Sequence, residues 1–462
     1  MSEPRFLSAL LLDVGVLIAL LILGWLVASR VDPGGSRLFA AALAFPLGSG
    51  LLTLSIFVLS LLGVSLGIGM TVAVLGTAIL VLGSSGAYLA SKRPSPTASA
   101  ARRVETRGKR WELPALMAIA ILCAVSIAVS IGRSYSTWDA AAIWGVKGYG
   151  IARAGTIWAA SDWGAYGLSY PLNIPLLVSV FAMLDGDIVP GSKLIFPLYY
   201  ASLALGLLAH LRQRGAIVGT WAAAFVVALP IVFDHATQGY ANLPFATYIV
   251  LGTLLAAEAA SSGRRGPAAL SGMAFGFGVW TRPEGLPLVA AAYAALLLGA
   301  AAGGLRWKPG WEWFLPCVLI GGGWLAFSVG KGAASPLDNV IQSAAASLSA
   351  GKPNLIGLYW IGRYLVRDAL RPSVWGMLVP AVVIGAVLHW RKSRLKAEAR
   401  DTMILATAVT TGGLVLGYYL LVSFTGNLEW WLDTGLSRML LPSALLLAVW
   451  AVAPWLESRQ AA

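Results

Sequence analysis

The chain carries very little charge for its length. Of its 462 residues only 11% are Asp, Glu, Lys or Arg, against about 25% in an average soluble protein. A soluble protein of this size cannot cover its surface with so few charges, and a disordered chain would hold far fewer apolar residues than the 58% present here. The scarcity of charge therefore excludes both classes.

Cysteine and histidine are also scarce. Cys123 and Cys317 stand in separate apolar runs, so the sequence offers neither a disulfide framework nor a Cys-x-x-Cys metal site. The three histidines, His210, His235 and His389, form no His-Glu-x-x-His motif, and no acidic cluster has the spacing of metal ligands. We therefore expect no metal and no other cofactor.

Apolar runs of about 20 residues fill most of the chain, and each can cross about 30 Å of hydrocarbon. The sequence predicts an all-α, polytopic transmembrane bundle of about thirteen spans, with short external loops and interfacial helices. The apolar segment 170–184 is short and contains two prolines, so we expect a re-entrant or interfacial helix there. The predicted spans are 8–28, 38–63, 68–91, 114–132, 192–210, 216–233, 244–260, 268–281, 286–303, 313–330, 374–390, 402–423 and 438–455.

The positive charges indicate how the chain is oriented. The net charge is +13, but the basic residues cluster in short loops such as 92–113 and 391–400, which predicts cytoplasmic loops rather than a nucleic-acid surface. The loops 133–191, 331–373 and 424–437 are then external. We expect a multi-pass protein of the bacterial inner membrane, divided into an N-terminal part (1–113), a core with the first external loop (114–300) and a C-terminal part (301–462).

Asp139 is the main candidate for chemistry in the first external loop. It follows Trp138 and precedes Trp144, and a carboxylate at the membrane interface is well placed to take a proton from a hydroxyl group. Lys147, eight residues on, is expected to face the same side of a short helix. The alternative is an interfacial loop with belt tryptophans and a solvated aspartate.

Two cationic features supply candidates for binding an anion. Arg282 stands at an external turn between two short helices, with a salt bridge to Glu284 or a snorkelling side chain as the alternative. Arg363, Arg367 and Arg371 are spaced i, i+4, i+8, which predicts one face of an interfacial helix. Contact with lipid headgroups is favoured for that face, with a phosphate of a substrate as the alternative.

Several motifs together resemble the GT-C superfamily of integral-membrane glycosyltransferases. The closest likeness is to family 39, which includes the protein O-mannosyltransferases and the aminoarabinose transferases of lipid A. The likeness covers about residues 114–300. The motifs are Trp138-Asp139, Ile143-Trp144-x-x-Lys147, Ser169-Tyr170-Pro171-Leu172-x-x-Pro175-Leu176, Asp234-His235-x-x-x-Gly239-Tyr240-Ala241-Asn242-Leu243-Pro244, and the Gly-rich stretch from Ser271 to Gly285.

The resemblance implies an inverting, metal-independent transfer of a sugar on the non-cytoplasmic face. The donor would be a polyprenyl-phosphate-linked sugar, the acceptor a glycan, lipid or protein, and the surrounding membrane lipids further partners. Asp139 would act as the base, although members usually carry Asp-Glu where this chain has Asp139-Ala140. The residues expected to bind substrate are Lys147, Tyr170, Asp234, Arg282, Glu284, Arg363 and Arg367.

The alternative function is a transporter or flippase for lipid-linked sugars. Such a protein needs ionisable groups near the middle of the membrane, whereas a transferase keeps its acids at one face. The predicted spans are almost free of charge at their centres. The sequence therefore favours the transferase.

Overall fold

The protein is helical throughout the part that the computed structural model describes, and that part contains no strand. The described residues are 3–91, 109–163, 166–185, 190–305, 307–333, 336–349, 355–392, 398–425 and 427–457. The helices are α1 (Glu3–Val31), α2 (Arg37–Leu61), α3 (Ile68–Ser91), α4 (Lys109–Gly132), α5 (Val146–Ala154), α6 (Asn173–Asp185), α7 (Pro190–Lys193), α8 (Ile195–Leu211), α9 (Ala216–Val227), α10 (Pro230–Gln238), α11 (Asn242–Ser262), α12 (Arg265–Thr281), α13 (Gly285–Ala302), α14 (Trp311–Gly330), α15 (Pro336–Ser349), α16 (Leu355–Ala369), α17 (Pro372–Trp375), α18 (Leu378–Lys392), α19 (Ala399–Val422), α20 (Leu428–Met439) and α21 (Leu441–Glu457).

Eight stretches of helix among the described residues are long and apolar enough to cross a membrane. Two bent pairs of helices raise the number to ten: α9 with α10, bent by 57°, and α20 with α21, bent by 44°. The expectation of an all-helical, multi-pass membrane protein is thus met at this level, while the number of about thirteen spans is not confirmed.

Ion pairs show which helix ends lie together. Arg264, between α11 and α12, contacts Asp32, between α1 and α2, at 2.6 Å. Arg212, after α8, contacts Glu112 in the first turn of α4, also at 2.6 Å. We call the end of the bundle with these pairs the lower end, and the opposite end, which carries Asp139 after α4, the upper end. Of the predicted basic loop 92–113, residues 92–108 lie outside the described residues.

Glycines allow the closest helix pairs to form. A Cβ atom added at Gly24 of α1 would overlap the carbonyl of Ala44 in α2, and one added at Gly272 of α12 would overlap the carbonyl of Trp313 in α14. Lipid-embedded helices gain much of their association energy from such close backbone approach. These glycines therefore bring α1 against α2 and α12 against α14.

The segment 170–184 forms the short helix α6, and its residues from Leu172 to Phe181 are buried. Thirteen residues of helix extend only about 20 Å, too little for a full span. Pro175 lies in the first turn, where the missing N–H costs no helical hydrogen bond. The helix packs against α5 and α2, and it places Tyr170 at the upper end.

Candidate active site

Asp139 begins an unusual stretch of helix. Residues Ala140–Gly145 form a π-helical turn, and the α-helix α5 starts only at Val146. Short π-helical turns are rare and occur frequently at functional sites. The turn places Asp139 at the upper end with a side chain that is 18% exposed.

Arg438 is the partner of Asp139. Its guanidinium Nη1 donates to the Asp139 carboxylate at 2.6 Å, across 299 positions of sequence, and its side chain is 15% exposed. The guanidinium also lies 5.3 Å from the centre of the Tyr240 ring. The sequence analysis missed Arg438 as a site residue, and the available signal was a cation next to an apolar helix at an end predicted to be external.

Arg282 is held at the end of α12 by its backbone. Because Pro283 disfavours helical dihedrals in the residue before it, Arg282 is extended, with φ −142° and ψ 148°, and the helix stops. Its buried side chain donates from Nε and Nη2 to the two carboxylate oxygens of Glu284, at 3.0 and 3.1 Å. A third donor, Nη1, contacts Asn242 Oδ1 at 2.8 Å. The predicted alternative of a salt bridge to Glu284 is therefore present.

The two ion pairs form one group. The Asn242 amide donates to the backbone carbonyl of Arg438 at 3.3 Å, and the Nη2 atom of Arg282 lies 3.7 Å from the sulfur of Met439. We call this group the upper cluster; its members are Asp139, Asn242, Arg282, Glu284 and Arg438. It joins the segment after α4, the first residue of α11, the turn after α12 and the last turn of α20.

The charges of the upper cluster affect the pKa of Tyr170. Burial raises the pKa of the Tyr170 hydroxyl well above its usual range, and the nearby carboxylate of Glu284 raises it further while Arg282 opposes this. Burial alone would also raise the pKa of Glu284, but the Arg282 guanidinium outweighs it and lowers that pKa. Glu284 is therefore a carboxylate at neutral pH, and Tyr170 is a neutral hydroxyl.

Lys147 has contacts with residues other than Asp139. Its side chain is fully buried, and its ammonium donates to the carbonyl of Gly167 at 2.7 Å and lies 6.0 Å from the Tyr170 ring centre. That it faces the same side as Asp139 stays a prediction, since the residues between them form a π-helical turn rather than the α-helix assumed from the sequence. Burial lowers the pKa of Lys147 to about 8, so the ammonium is charged at neutral pH and loses its proton in mild alkali.

Asp234 and the predicted arginine stripe have other partners. Asp234 accepts a hydrogen bond from Gln238 within α10, at 2.5 Å. Arg363 stacks on Trp360 with its guanidinium 4.9 Å from the ring centre, and Arg367 pairs with Asp368 and Asp433. No described contact joins these three residues to the upper cluster.

The prediction that Arg371 continues this stripe is wrong. The helix α16 ends at Ala369, and Arg371 instead caps the start of α17. The physical reason is Pro372, which disfavours helical dihedrals at the preceding residue. The predicted single face is therefore interrupted before its third arginine.

A large apolar cavity opens beside the upper cluster. Its volume is about 660 Å³, within the usual range for ligand pockets. It lies between α13, α19 and α15, and Glu284 and Met439 form part of its wall. The remaining lining residues are Pro283, Pro287, Leu288, Ile341, Gly413, Leu414, Val415, Gly417, Tyr418 and Leu421. Charged groups and a long apolar space thus adjoin.

Two further findings bear on the site. Within the described part of the chain, no group of three or more His, Cys, Asp or Glu side chains is arranged to hold a metal ion. Neither a family model nor a curated protein matches the chain. The resemblance to the GT-C superfamily therefore stays a prediction from the residues themselves.

Proposed function

We propose that the protein is a GT-C-like membrane glycosyltransferase that moves a sugar from a polyprenyl-phosphate donor to a glycan, lipid or protein acceptor. One observation carries the proposal. Two carboxylates and two arginines from three distant segments meet at one end of the bundle, next to an apolar cavity of about 660 Å³. An amphiphilic substrate with an anionic group and a long hydrocarbon chain suits this combination.

In the proposed reaction, Asp139 accepts the proton of the acceptor hydroxyl. The acceptor oxygen then bonds to the anomeric carbon of the sugar from the side opposite the phosphate. The bond between that carbon and the phosphate oxygen breaks, and its electron pair leaves with polyprenyl phosphate. Arg438 orients the Asp139 carboxylate through their 2.6 Å contact, as a fixed partner orients a general base.

Cationic side chains stabilise the leaving phosphate in this reaction. Fixed cations are effective where negative charge develops because they need no reorganisation at the moment of reaction. Lys147 is a buried ammonium with no ion pair among the described residues, and Tyr170 lies between it and the upper cluster. Arg282 is the second phosphate contact, and it would exchange part of its bidentate contact with Glu284 for the phosphate.

Placement of the charges supports a transferase over a transporter. Several buried charged side chains that the structure describes stand near helix ends, among them Glu112 and Asp401 in first turns and Arg282 directly after α12. Asp13 is the exception, because it lies inside α1. A transporter needs such groups near the middle of the spans.

The proposal also includes thirteen spans with the upper end outside the cell. The helices α3, α12 and α18, each shorter or less apolar than the rest, would bring the ten candidate spans to thirteen. With Cys123 and Cys317 removed, a cysteine at Ser134 should react with an impermeant thiol reagent in intact cells, and one at Ser262 should not. Labelling of Ser262 alone would reverse the orientation.

The catalytic part is tested by Asp139→Asn. Membranes with the wild-type protein should transfer label from at least one member of a panel of polyprenyl-phosphate sugars. The variant should be slower by about 10²- to 10⁴-fold, the usual contribution of a general base. Asp162→Asn, in the same loop but exposed, is the matched control and should keep its rate. Equal rates for the two variants would exclude Asp139 as the base.

A further inference from the structure

The lower end holds a second cavity, unrelated to the upper cluster. Its volume is about 590 Å³, and it lies between the turn that joins α11 to α12 and the start of α14. Arg264, Arg265 and Lys308 form its basic wall, and Glu312 is the one carboxylate among its lining residues. The space is thus lined by more cations than anions.

The three cations differ in how firmly they are held. Arg264 is fixed by Asp32 at 2.6 Å and by the carbonyl of Gly34 at 2.8 Å. Arg265 has a side chain that is 86% exposed and lies 3.8 Å from Glu312, a distance and exposure at which an ion pair contributes little. Lys308 is exposed and has no ion pair with any other described residue. Two cations are therefore free to turn toward a ligand.

Tryptophans indicate how deep this cavity lies in the membrane. Trp307 and Trp311 line it, and Trp311 is 71% exposed. Trp307 also packs on Trp313 with ring centres 4.5 Å apart. Tryptophan is enriched at the level of lipid headgroups, and the apolar span Trp311–Gly330 begins at the same place. The cavity thus opens where headgroups lie.

We propose that this lower-end cavity binds the phosphate headgroup of an anionic membrane phospholipid. Arg265 and Lys308 contact the phosphodiester, Arg264 lines the floor in its pair with Asp32, and the exposed face of Trp311 lies against the glycerol region. Basic pockets between membrane helices bind anionic headgroups by the same chemistry. The inference does not depend on the proposed transferase activity, because it concerns the other end of the bundle.

Native mass spectrometry of the full chain in detergent tests the inference. The probes are phosphatidylglycerol and phosphatidylcholine with identical acyl chains, with sn-glycerol 3-phosphate as a soluble competitor. Phosphatidylglycerol should bind more tightly than phosphatidylcholine, and glycerol phosphate should not displace it. Removing two interfacial cations with Arg265→Gln and Lys308→Gln should weaken binding of phosphatidylglycerol about 30-fold.

A matched pair of cations provides the control. Arg37→Gln with Arg110→Gln removes the same charge from exposed positions of the lower end outside the cavity, and binding should stay near wild type. Glu312→Gln should strengthen binding, because it removes the carboxylate that competes for Arg265. Three results would each overturn the inference. They are equal binding of the two lipids, an equal loss of phosphatidylglycerol binding in both double variants, and displacement of the lipid by glycerol phosphate.

Discussion

Two ion pairs of the bundle, one at each end, have the same short contact and different surroundings. At the lower end, Arg212 and Glu112 meet at 2.6 Å, the Thr220 hydroxyl of α9 donates to the same carboxylate at 3.3 Å, and neither residue of the pair lines the two cavities described above. At the upper end, Asp139 and Arg438 meet at the same distance beside a π-helical turn, and Glu284 and Met439 next to them line the large apolar cavity.

The difference shows why an ion pair alone is weak evidence of function. A pair between helix turns holds the turns together, whereas a pair that adjoins a substrate-sized space can also act on a ligand. Surroundings, rather than the contact itself, distinguish the Arg212–Glu112 pair from the Asp139–Arg438 pair. The variants below break one end at a time, in order of decreasing expected effect.

Among the variants that compare the two ion pairs, Arg438→Gln should have the largest effect on turnover. The amide keeps much of the side chain's volume but removes the charge beside Asp139, and loss of one fixed electrostatic partner typically slows a reaction about 10²- to 10³-fold. The measurement is the rate at which label is transferred, divided by the amount of folded protein. The lower-end counterpart, Arg212→Gln, should leave that rate unchanged, and an equal loss in both variants would remove the distinction between the ends.

Arg212→Gln should instead lower stability. It leaves the Glu112 carboxylate, which is 7% exposed, with only the Thr220 hydroxyl at 3.3 Å. An unsatisfied buried polar group costs about 1–3 kcal/mol of the free energy of unfolding, and a charged group costs more. Thermal unfolding in detergent measures this loss, and a variant as stable as wild type would contradict a structural role for the pair.

Arg282→Ala should weaken binding of the donor about 10- to 100-fold. This is the range expected for loss of a charge-assisted hydrogen bond of about 1.5–3 kcal/mol. Arg282→Lys should recover part of the affinity, since it keeps the charge but loses the planar fork that contacts both oxygens of Glu284. The apparent KM for the donor distinguishes the variants. An unchanged KM in Arg282→Ala would remove Arg282 from the donor site.

Lys147 should make donor binding depend on pH. Its pKa is lowered to about 8 in the folded protein. If the ammonium contacts the donor phosphate as proposed, this contact is lost as the pH rises through about 8, and the donor KM should increase. Lys147→Arg should abolish this dependence because arginine stays charged. A donor KM that rises equally in both proteins would assign the titration to another group.

The same titration should affect stability in the opposite direction. Between about pH 8 and the ordinary lysine pKa near 10.4, the unfolded chain binds a proton that the folded chain does not, so stability rises with pH in this window. Unfolding of Lys147→Met should show a smaller rise in stability than unfolding of the wild type. A wild-type stability that falls from pH 8 to pH 10 would contradict the burial of Lys147.

Arg367→Gln should have the smallest effect on turnover. Its partner Asp433 has a side chain that is 56% exposed, and exposed pairs contribute about 0.2–1 kcal/mol to stability. Its buried partner Asp368 keeps Arg371 at 3.9 Å. Turnover should stay near wild type, because Arg367 has no described contact with the upper cluster. A large loss of turnover would extend the site along α16 and restore the role predicted for Arg367 from the sequence.

The parts of the site that were predictable are local in sequence. Asp139 among tryptophans, and Arg282 with Glu284 at a turn closed by Pro283, could be recognised because the neighbouring residues determine their setting. The pairing of Arg438 with Asp139 could not be predicted, because the contact spans 299 positions and depends on how α20 packs. The direction of Lys147 could not be derived from periodicity either, since that reasoning assumes an α-helix and the chain forms a π-helical turn there.

The sequence by itself determined that this protein lies in a lipid bilayer, that it is helical, and where its main apolar segments are. With so few charged residues and runs of about 20 apolar ones, each segment must satisfy its own backbone hydrogen bonds in lipid, and only a helix does so locally. Only the tertiary structure decided which charged groups meet and where cavities open, because close packing of helices such as α12 on α14 depends on contacts between distant residues.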